Sequence, residues 1–315
     1  MGARSWWRPA AVQRAGVDAG FVLPHSSRDP GYLDALRRIC VGEAVQLILP
    51  GSESELELLS KNASLLRAEA GAIVVASPPE VLAIAMDKWQ TCRFLEAAGL
   101  RFPRYARASV LKEVERLVDE VGFPLIAKPV HGTGSRGSVT IESWGGLERV
   151  QTSAVAMVVE EYLYPDNEEY SVEVYTLREG RQAGAISYRR GQLVAGDTYK
   201  ALVIPNPAAE TEARAVAAAL GTTGSCNVQL RVTARGPVTF EINPRFSGGV
   251  SMRAHFGYNE VEMAVRDLVL DEPVPEPSIT SGRALRYWEE LYLDDDLPPP
   301  DLAGQRGAER PTAIR

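Results

Sequence analysis

The stretch TFEINPRFSGG, residues 239–249, sets a carboxylate (Glu241), a carboxamide (Asn243) and a guanidinium (Arg245) at alternate positions of an extended run. Successive side chains of a strand point to opposite faces, so these three share one. Upstream, CNVQLRVTARGPVTFEIN, residues 226–243, reads as a hairpin turning at the Gly-containing ARG of 234–236. Val228, Leu230 and Val232 then lie on a buried face with Val238, Phe240 and Ile242, while Asn227, Gln229 and Arg231 share the other with Thr239, Glu241 and Asn243. A three-residue loop sets Gln229 opposite Glu241, with Cβ atoms roughly 4.5–5.5 Å apart. Gln229, Glu241 and Asn243 are therefore candidate oxygen ligands of one hard cation, and magnesium fits that set. Arg245 stands where a phosphate bridging the metal would sit. Alternation by itself is equally satisfied by a wet sheet face, with Arg245 in a salt bridge to Glu241.

Two further stretches bear on an anionic ligand. IAKPVHGTGSRGSV carries Lys128 at a strand end and glycines at 132, 134 and 137 in a hairpin loop, so backbone N–H groups can approach an anion unobstructed. It lacks the Gly-Lys-Ser/Thr ending of a Walker A loop, and a plain Gly-rich hairpin explains it as well. Lys88 in MDKWQ is a second candidate phosphate partner that depends on such company. VVEEYLYPDNEEYSVEVY, with Glu160, Glu161, Glu168 and Glu169 around an apolar connector, reads either as a solvated acidic face or as a nucleotide hinge. A hinge would pair its backbone with a base edge and offer a carboxylate to ribose hydroxyls.

Bulk properties narrow the class. The 315 residues are 45% hydrophobic and 24% charged, which is globular composition. A net charge of −7 argues against a broad nucleic-acid surface, so any phosphate must be met locally. No apolar run reaches the roughly 20 residues of a membrane span, and the start MGARSWWRPAAVQRAG lacks a secretory apolar region, so no membrane association and a cytoplasmic location are expected. Cys40, Cys92 and Cys226 are widely spaced and read as core thiols, and His25, His131 and His255 form no ligand-spaced cluster. No Ser/His/Asp or Cys/His arrangement suggests a side-chain nucleophile.

The elements that would carry these residues form an α/β (α+β) chain. YLDALRRIC, AVQLILP, ESELELLSKNASLLRAEAG, AIVVASP and PEVLAIA alternate helix and strand as a parallel unit, after an opening with no clear first strand. DKWQTCRFLEAAG is a helix ended by Gly99, and VLKEVERLVDEVG is a helix with Val110, Val114, Leu117 and Val121 on one stripe. PLIAKPV, SVTIE and AMVVEEYL are strands of a small α+β lobe. From EYSVEVYTL onward longer hairpins build an antiparallel lobe, interrupted by the helices ETEARAVAAALG and EVEMAVRDLVLD. The expected division is an incomplete opening lobe over 1–85, a unit over 86–275 (small lobe about 109–162, large lobe about 163–275), and a frayed Pro- and Asp-rich tail over 276–315.

In order, DK at 87–88, PLIAKP at 124–129, the Gly-rich loop, VVEEYL at 158–163, EYSVEV at 169–174, NVQ at 227–229 and EINPR at 241–245 resemble the ATP-grasp superfamily. The pattern is similar to a single synthetase unit of the carbamoyl-phosphate synthase large subunit and covers about residues 30–275. The resemblance implies an ATP-grasp fold with a shortened N-terminal parallel lobe, because the family's opening strand and Gly-rich turn are replaced here by MGARSWWRPAAVQRAG. It implies that Lys88 and Lys128 contact ATP phosphates beneath the 132–138 loop, including Gly132, Gly134, Ser135 and Gly137. Glu160, Glu161 and Leu163 would meet adenine, Glu169 the ribose, and Gln229, Glu241 and Asn243 would hold Mg2+ (or Mn2+). Arg245 would steady the transferring phosphate or the acyl-phosphate, and Lys200 would lie near the γ-phosphate, both as catalytic residues.

The implied activity is an ATP-dependent carboxylate–amine ligase, or a carboxylate–thiol ligase, working through an acyl-phosphate on small-molecule carboxylate and amine substrates. A regulatory ATP-binding subunit and a carboxylate or carbamate kinase are the alternatives. A homodimer is the partner state considered.

Overall fold

Short apolar strands and amphipathic helices alternate from the first described residues onward. The structure, a computed structural model, describes residues 29–287 apart from 133, 135, 192, 195 and 196, together with 19–21 and 23–24. The expected eroded opening before residue 19, Ser135, and the tail beyond 287 lie outside the described residues. The chain divides into two units, one of residues 1–48, 62–73 and 287–315, the other of 49–61 and 74–286.

In the first unit the helices Tyr32–Gly42 and Ala63–Ala70 pack together, tied by an Arg37–Glu69 ion pair at 3.3 Å. The expected parallel α/β start is present as the short strands β1 (Leu47–Ile48) and β2 (Ile73–Val74). The helical run ESELELLSKNASLLRAEAG is two helices, because Asn62 leaves helical geometry at φ −112° and ψ 13°.

The second unit holds two antiparallel sheets. The small sheet has the order β3-β6-β4-β5, from β3 (Tyr105–Arg107), β4 (Leu125–Pro129), β5 (Val139–Ile141) and β6 (Met157–Glu161). Helices Leu111–Val121 and Trp144–Gln151 supply Val114, Leu117, Leu147 and Val150 to its apolar side, where they meet Leu125, Ala127, Ile141 and Val159. The predicted stripe on the first helix is thus the buried one, with Val114 and Leu117 at its centre.

The large sheet contains β7 (Glu169–Thr176), β8 (Gln182–Arg190), β11 (Lys200–Val203), β12 (Gly224–Thr233), β13 (Gly236–Asn243) and β14 (Gly282–Leu285), in the order β13-β12-β7-β8-β11-β14. The strands β9 (Leu193–Val194) and β10 (Asp197–Thr198) form a separate hairpin. One face of the large sheet packs Val172, Val174, Val228, Leu230 and Ile242 against Ala213, Val216, Ala217 and Leu220 of the helix Pro207–Leu220. Each fully buried aliphatic side chain of this size contributes about 1.5–3 kcal/mol. That helix starts where Asn206 accepts a hydrogen bond from the Ala209 amide at 3.1 Å, with Pro207 in its first turn.

Two features differ from expectation. Residues 282–285, read as tail, form the edge strand β14, paired along β11 from Lys200↔Leu285 to Val203↔Gly282. Four residues with two small side chains carry little periodic signal, so only the pairing reveals the strand.

The 226–243 hairpin has a two-residue turn, since Thr233 pairs with Gly236. The register then shifts between Gln229 and Leu230, so that Leu230 faces Thr239 while Gln229 faces Glu241. Phe240 is the extra residue of a β-bulge. The expected Gln229–Glu241 pairing is therefore present, but through a shorter loop plus a bulge. The expected parity fails locally: Thr239 is buried and Phe240 leaves the predicted core face for the cavity described below.

Candidate active site

The polar face of the large sheet is organised in rungs running across its strands. Arg231 of β12 stands opposite Glu169 of β7, and Arg190 at the end of β8 completes this rung. One residue pair along, Tyr188, Ser171, Gln229 and Glu241 line up across β8, β7, β12 and β13. A third rung places Glu173, Asn227 and Asn243 side by side. Each lies two residues, roughly 6–7 Å, from the next along the strands.

Above the first two rungs is a cavity of about 190 Å³. The small sheet contributes Ile126, Lys128 and Glu160, the connector Glu161, Tyr162 and Leu163, and the β4–β5 loop Gly132, Gly134 and Arg136. The floor contributes Glu169, Arg190, Gln229, Arg231, Phe240 and Glu241, and Lys88 closes one end. Ile126, Leu163 and Phe240 give it apolar walls among charged groups, which suits a ligand with a flat apolar ring and an anionic tail.

The positions are fixed locally. Asp87 caps the helix Lys88–Ala97 by accepting from the Gln90 amide at 2.9 Å, which sets Lys88 in the first turn. The Lys88 ammonium donates to the Gly132 carbonyl at 2.7 Å and so holds the Gly-rich loop. At Gly137, φ is 75° and an added Cβ would meet the Pro129 ring at 3.0 Å, so glycine is required for this loop to turn over β4. Gly137 shapes the loop without lining the cavity.

Lys128 Nζ lies 2.6 Å from a Glu160 carboxylate oxygen and 5.0 Å from the Phe240 ring centroid. Burial works against its charge, but Glu160 and then Glu241 outweigh it and hold the lysine above its ordinary pKa. Glu160 is thus committed through its side chain to Lys128, on a strand paired on both sides. Glu161 accepts from Arg235 at 2.7 Å, and the Leu163 carbonyl accepts from Arg231 at 2.5 Å. Glu169 accepts from Arg190 at 2.7 Å and from Arg231 at 2.6 Å.

Among the three candidate metal ligands, Glu241 accepts from the Asn243 amide at 2.9 Å, and Gln229 Oε1 accepts from Arg190 at 2.6 Å. The set is one carboxylate flanked by two carboxamides on adjacent rungs. This fits magnesium, which takes one or two protein carboxylates and completes its shell with phosphates and water. Among the described residues no group of three or more His, Cys, Asp and Glu side chains offers an alternative metal site.

Arg245 pairs with Glu53 of the helix Glu53–Lys61 at 2.9 Å and lines two smaller cavities beside the main one. The alternative reading, in which Arg245 only forms a salt bridge to Glu241, is therefore not the pairing found. Lys200 is exposed on β11 and lines none of these cavities.

Beneath the third rung lies a buried charge cluster that the sequence did not disclose. Arg253 donates to Glu260 through Nε at 2.9 Å, meets Glu173 at 3.1 Å, and donates to Ser247 Oγ at 2.9 Å. Glu173 also accepts from Ser225 and from Asn227 at 3.1 Å. Burial pushes the Glu173 carboxyl up to about 7, with Arg253 opposing and Glu260 reinforcing the shift. At Gly249 an added Cβ would meet Arg253 at 2.5 Å and the Tyr188 hydroxyl at 3.0 Å. Gly249 of FSGG therefore serves close packing.

The residues missed by sequence reasoning are Arg190, Arg231, Phe240, Glu173 and Arg253. The first two carried a signal in the alternation of SYRR and NVQLR. Phe240 carried none, because a bulge leaves no periodic mark.

Residues 153–290 match the family model described as ATP-grasp in the biosynthetic pathway with Ter operon. The arginine-specific carbamoyl phosphate synthase large chain of Eremothecium gossypii is 28% identical over 248 residues, which is 70% of this chain and 21% of that one. The formate-dependent phosphoribosylglycinamide formyltransferase of Rhodococcus jostii is 26% identical over 303 residues, 86% of this chain and 74% of that one. The chain spans about a fifth of the carbamoyl phosphate synthase large chains it matches. Among solved structures, the biotin carboxylase domain dimer of Hydrogenobacter thermophilus 2-oxoglutarate carboxylase, in complex with MgADP, ADP and bicarbonate, aligns with a TM-score of 0.62. It is 16% identical and covers 77% of this chain and 58% of that chain. No helix among the described residues is long and apolar enough to cross a membrane. The resemblance read from the sequence therefore stands: the chain has the ATP-grasp fold and is similar to a single synthetase unit of the carbamoyl phosphate synthase large chain.

Proposed function

We propose that this chain is an ATP- and Mg2+-dependent ligase that joins a small-molecule carboxylate to an amine through an acyl-phosphate, with residues 86–286 as its ATP-binding unit. The observation that carries this reading is the cavity in which Lys128 of the small sheet, the Glu161–Leu163 connector and the Gln229–Glu241 rung meet. ATP is the phosphoryl donor. Its base suits the walls of Ile126, Leu163 and Phe240, its ribose suits Glu169, and its phosphates suit Lys88, Lys128 and the loop amides. Gln229, Glu241 and Asn243 would hold Mg2+, or Mn2+ in its place, which when bound neutralises phosphate charge.

The protein's own contribution is orientation and charge. A substrate carboxylate oxygen attacks the γ-phosphorus while ADP leaves, and the amine then displaces phosphate from the acyl-phosphate. No side-chain nucleophile is required. Consistent with this, Cys40, Cys92 and Cys226 are all buried, and burial raises each thiol above its ordinary pKa. The formate-dependent Rhodococcus relative, a carboxylate-using enzyme by name, supports the substrate class. A homodimer is the assembly in keeping with the dimeric Hydrogenobacter neighbour.

The test is incubation with ATP, Mg2+ and pooled carboxylic acids and amines, followed by ADP and phosphate release and by mass spectrometry of the products. Turnover with a condensation product is expected only when an acceptor is present, and it should be abolished in Glu241→Ala. Thermal protection by ATP without turnover across broad pools would make the chain a nucleotide-binding subunit. An acyl-phosphate trapped by hydroxylamine with no amide formed would make it a carboxylate kinase.

A further inference from the structure

A second, mainly polar cavity adjoins the first on the same floor, bordered by Ser171, Tyr188, Thr198, Asn227, Arg245 and Arg286 among others. The two cavities share four lining residues, namely Gly134, Arg190, Gln229 and Glu241. Lys88, Lys128, Arg136 and Arg231 line only the first of the two, and Arg245 and Arg286 only the second. Among the described residues Arg190 is thus the cation common to both. A phosphoryl group passing from a nucleotide in one cavity to a carboxylate in the other crosses the junction that Arg190 borders.

We infer that Arg190 contacts the γ-phosphate of the bound nucleoside triphosphate and takes the role that the family resemblance implied for Lys200. The inference rests on the ligase reading above. The guanidinium is held in place before any ligand arrives: its Nε donates to Thr198 at 3.1 Å, and its Nη1 donates to Glu169 at 2.7 Å and to Gln229 at 2.6 Å. The side chain is only 7% exposed. A guanidinium fixed in this way by three donated hydrogen bonds presents its charge to a phosphate with little further ordering.

Electrostatics points the same way. Gln229 Oε1 is both a candidate metal ligand and an acceptor of Arg190. An oxygen shared by a divalent ion and a guanidinium brings two cations within a few ångströms; Glu169 on Arg190 and Glu241 opposite Gln229 offset part of that repulsion, and an anion lying against both cations offsets more. A triphosphate tail is such an anion, and charge developing on a transferring phosphoryl group is what a cation on each side stabilises. Lys200, by contrast, is exposed and borders neither cavity.

The experiment is calorimetric titration of the full chain, in Mg2+, with β,γ-imido-ATP and with ADP. Arg190→Gln is expected to weaken the imido analogue about 10- to 100-fold, the worth of a charged hydrogen bond, while ADP changes by less than about threefold. Arg190→Lys should fall between. Equal weakening of both nucleotides would mean that Arg190 only props Glu169 at the ribose, and unchanged affinities would mean no contact; either result overturns the inference. If thermal melting shows Arg190→Gln to be unfolded, Arg190→Lys decides: a fall in the imido-to-ADP affinity ratio supports the contact and an unchanged ratio overturns it. Wild-type protein that binds neither nucleotide would remove the ligase reading itself, whereas wild-type binding with an insensitive variant removes only this inference.

Discussion

The two antiparallel sheets of the second unit use charge in different ways. Behind the small sheet the core is apolar throughout, and its buried ion pair, Lys128–Glu160, borders the cavity. The large sheet has an apolar core on one face, but under the other it buries Arg253 between Glu173 and Glu260, in a cluster that also grips Ser247 of the FSGG loop. The Lys128–Glu160 pair faces the cavity, as do Glu169, Arg190, Arg231 and Glu241 on the polar face of the large sheet, whereas the Arg253 cluster faces inward and builds the loop beside it. A desolvated charge is costly, so each is retained where neighbouring groups compensate it.

The sharpest way to break this contrast is to remove one cation from each sheet. Arg253→Met leaves two carboxylates facing each other in the interior and is expected to cost about 3–5 kcal/mol in denaturant unfolding. Arg253→Lys should lose part of that stability yet keep the thermal shift produced by Mg2+-nucleotide. Lys128→Met should lose the shift itself. If Arg253→Lys abolished the shift while Lys128→Met kept it, the assignment of structural and ligand-facing charge would be reversed.

A smaller effect concerns pH. Unfolded, the Glu173 carboxyl titrates at its ordinary 4.5, and folded it titrates at about 7, so between these values the native state holds the extra proton. The stability this group contributes is full below about 4.5 and is lost as pH rises through about 7. Melting temperature should therefore fall by several degrees between about pH 5 and 8 at constant ionic strength, with a flatter profile in Glu173→Gln. An identical slope in the two proteins would move the titration to another group. The smallest change is expected at Lys200. Lys200→Ala on exposed β11 should alter stability by less than about 0.5 kcal/mol and leave nucleotide affinity unchanged.

Much of the candidate site's layout was legible because strand alternation reports which residues share a face. Gln229, Glu241 and Asn243 were placed together by parity, and Lys128 and the 132–137 loop by position at the end of a strand. What was not legible depends on contacts between distant segments. Arg245 finds Glu53, 192 positions away in the chain, rather than Glu241, which lies four residues before it. Glu173 and Arg253, 80 positions apart by their numbers, become partners only when β7 and the helix Val250–His255 pack together. The edge strand β14 is made a strand by its pairing with β11, since GRAL alone has no period to read.

The displaced residue at Phe240 separates two proposed roles within one hairpin. A tip one residue longer with an uninterrupted ladder would still set Gln229 against Glu241, and the candidate ion-binding pair would survive. It would also turn the phenyl ring back among the aliphatic side chains and leave the cavity without that wall. Changes near Ala234 and Arg235 can thus alter affinity for the base while sparing the metal, a separation that a perfectly regular ribbon would not allow.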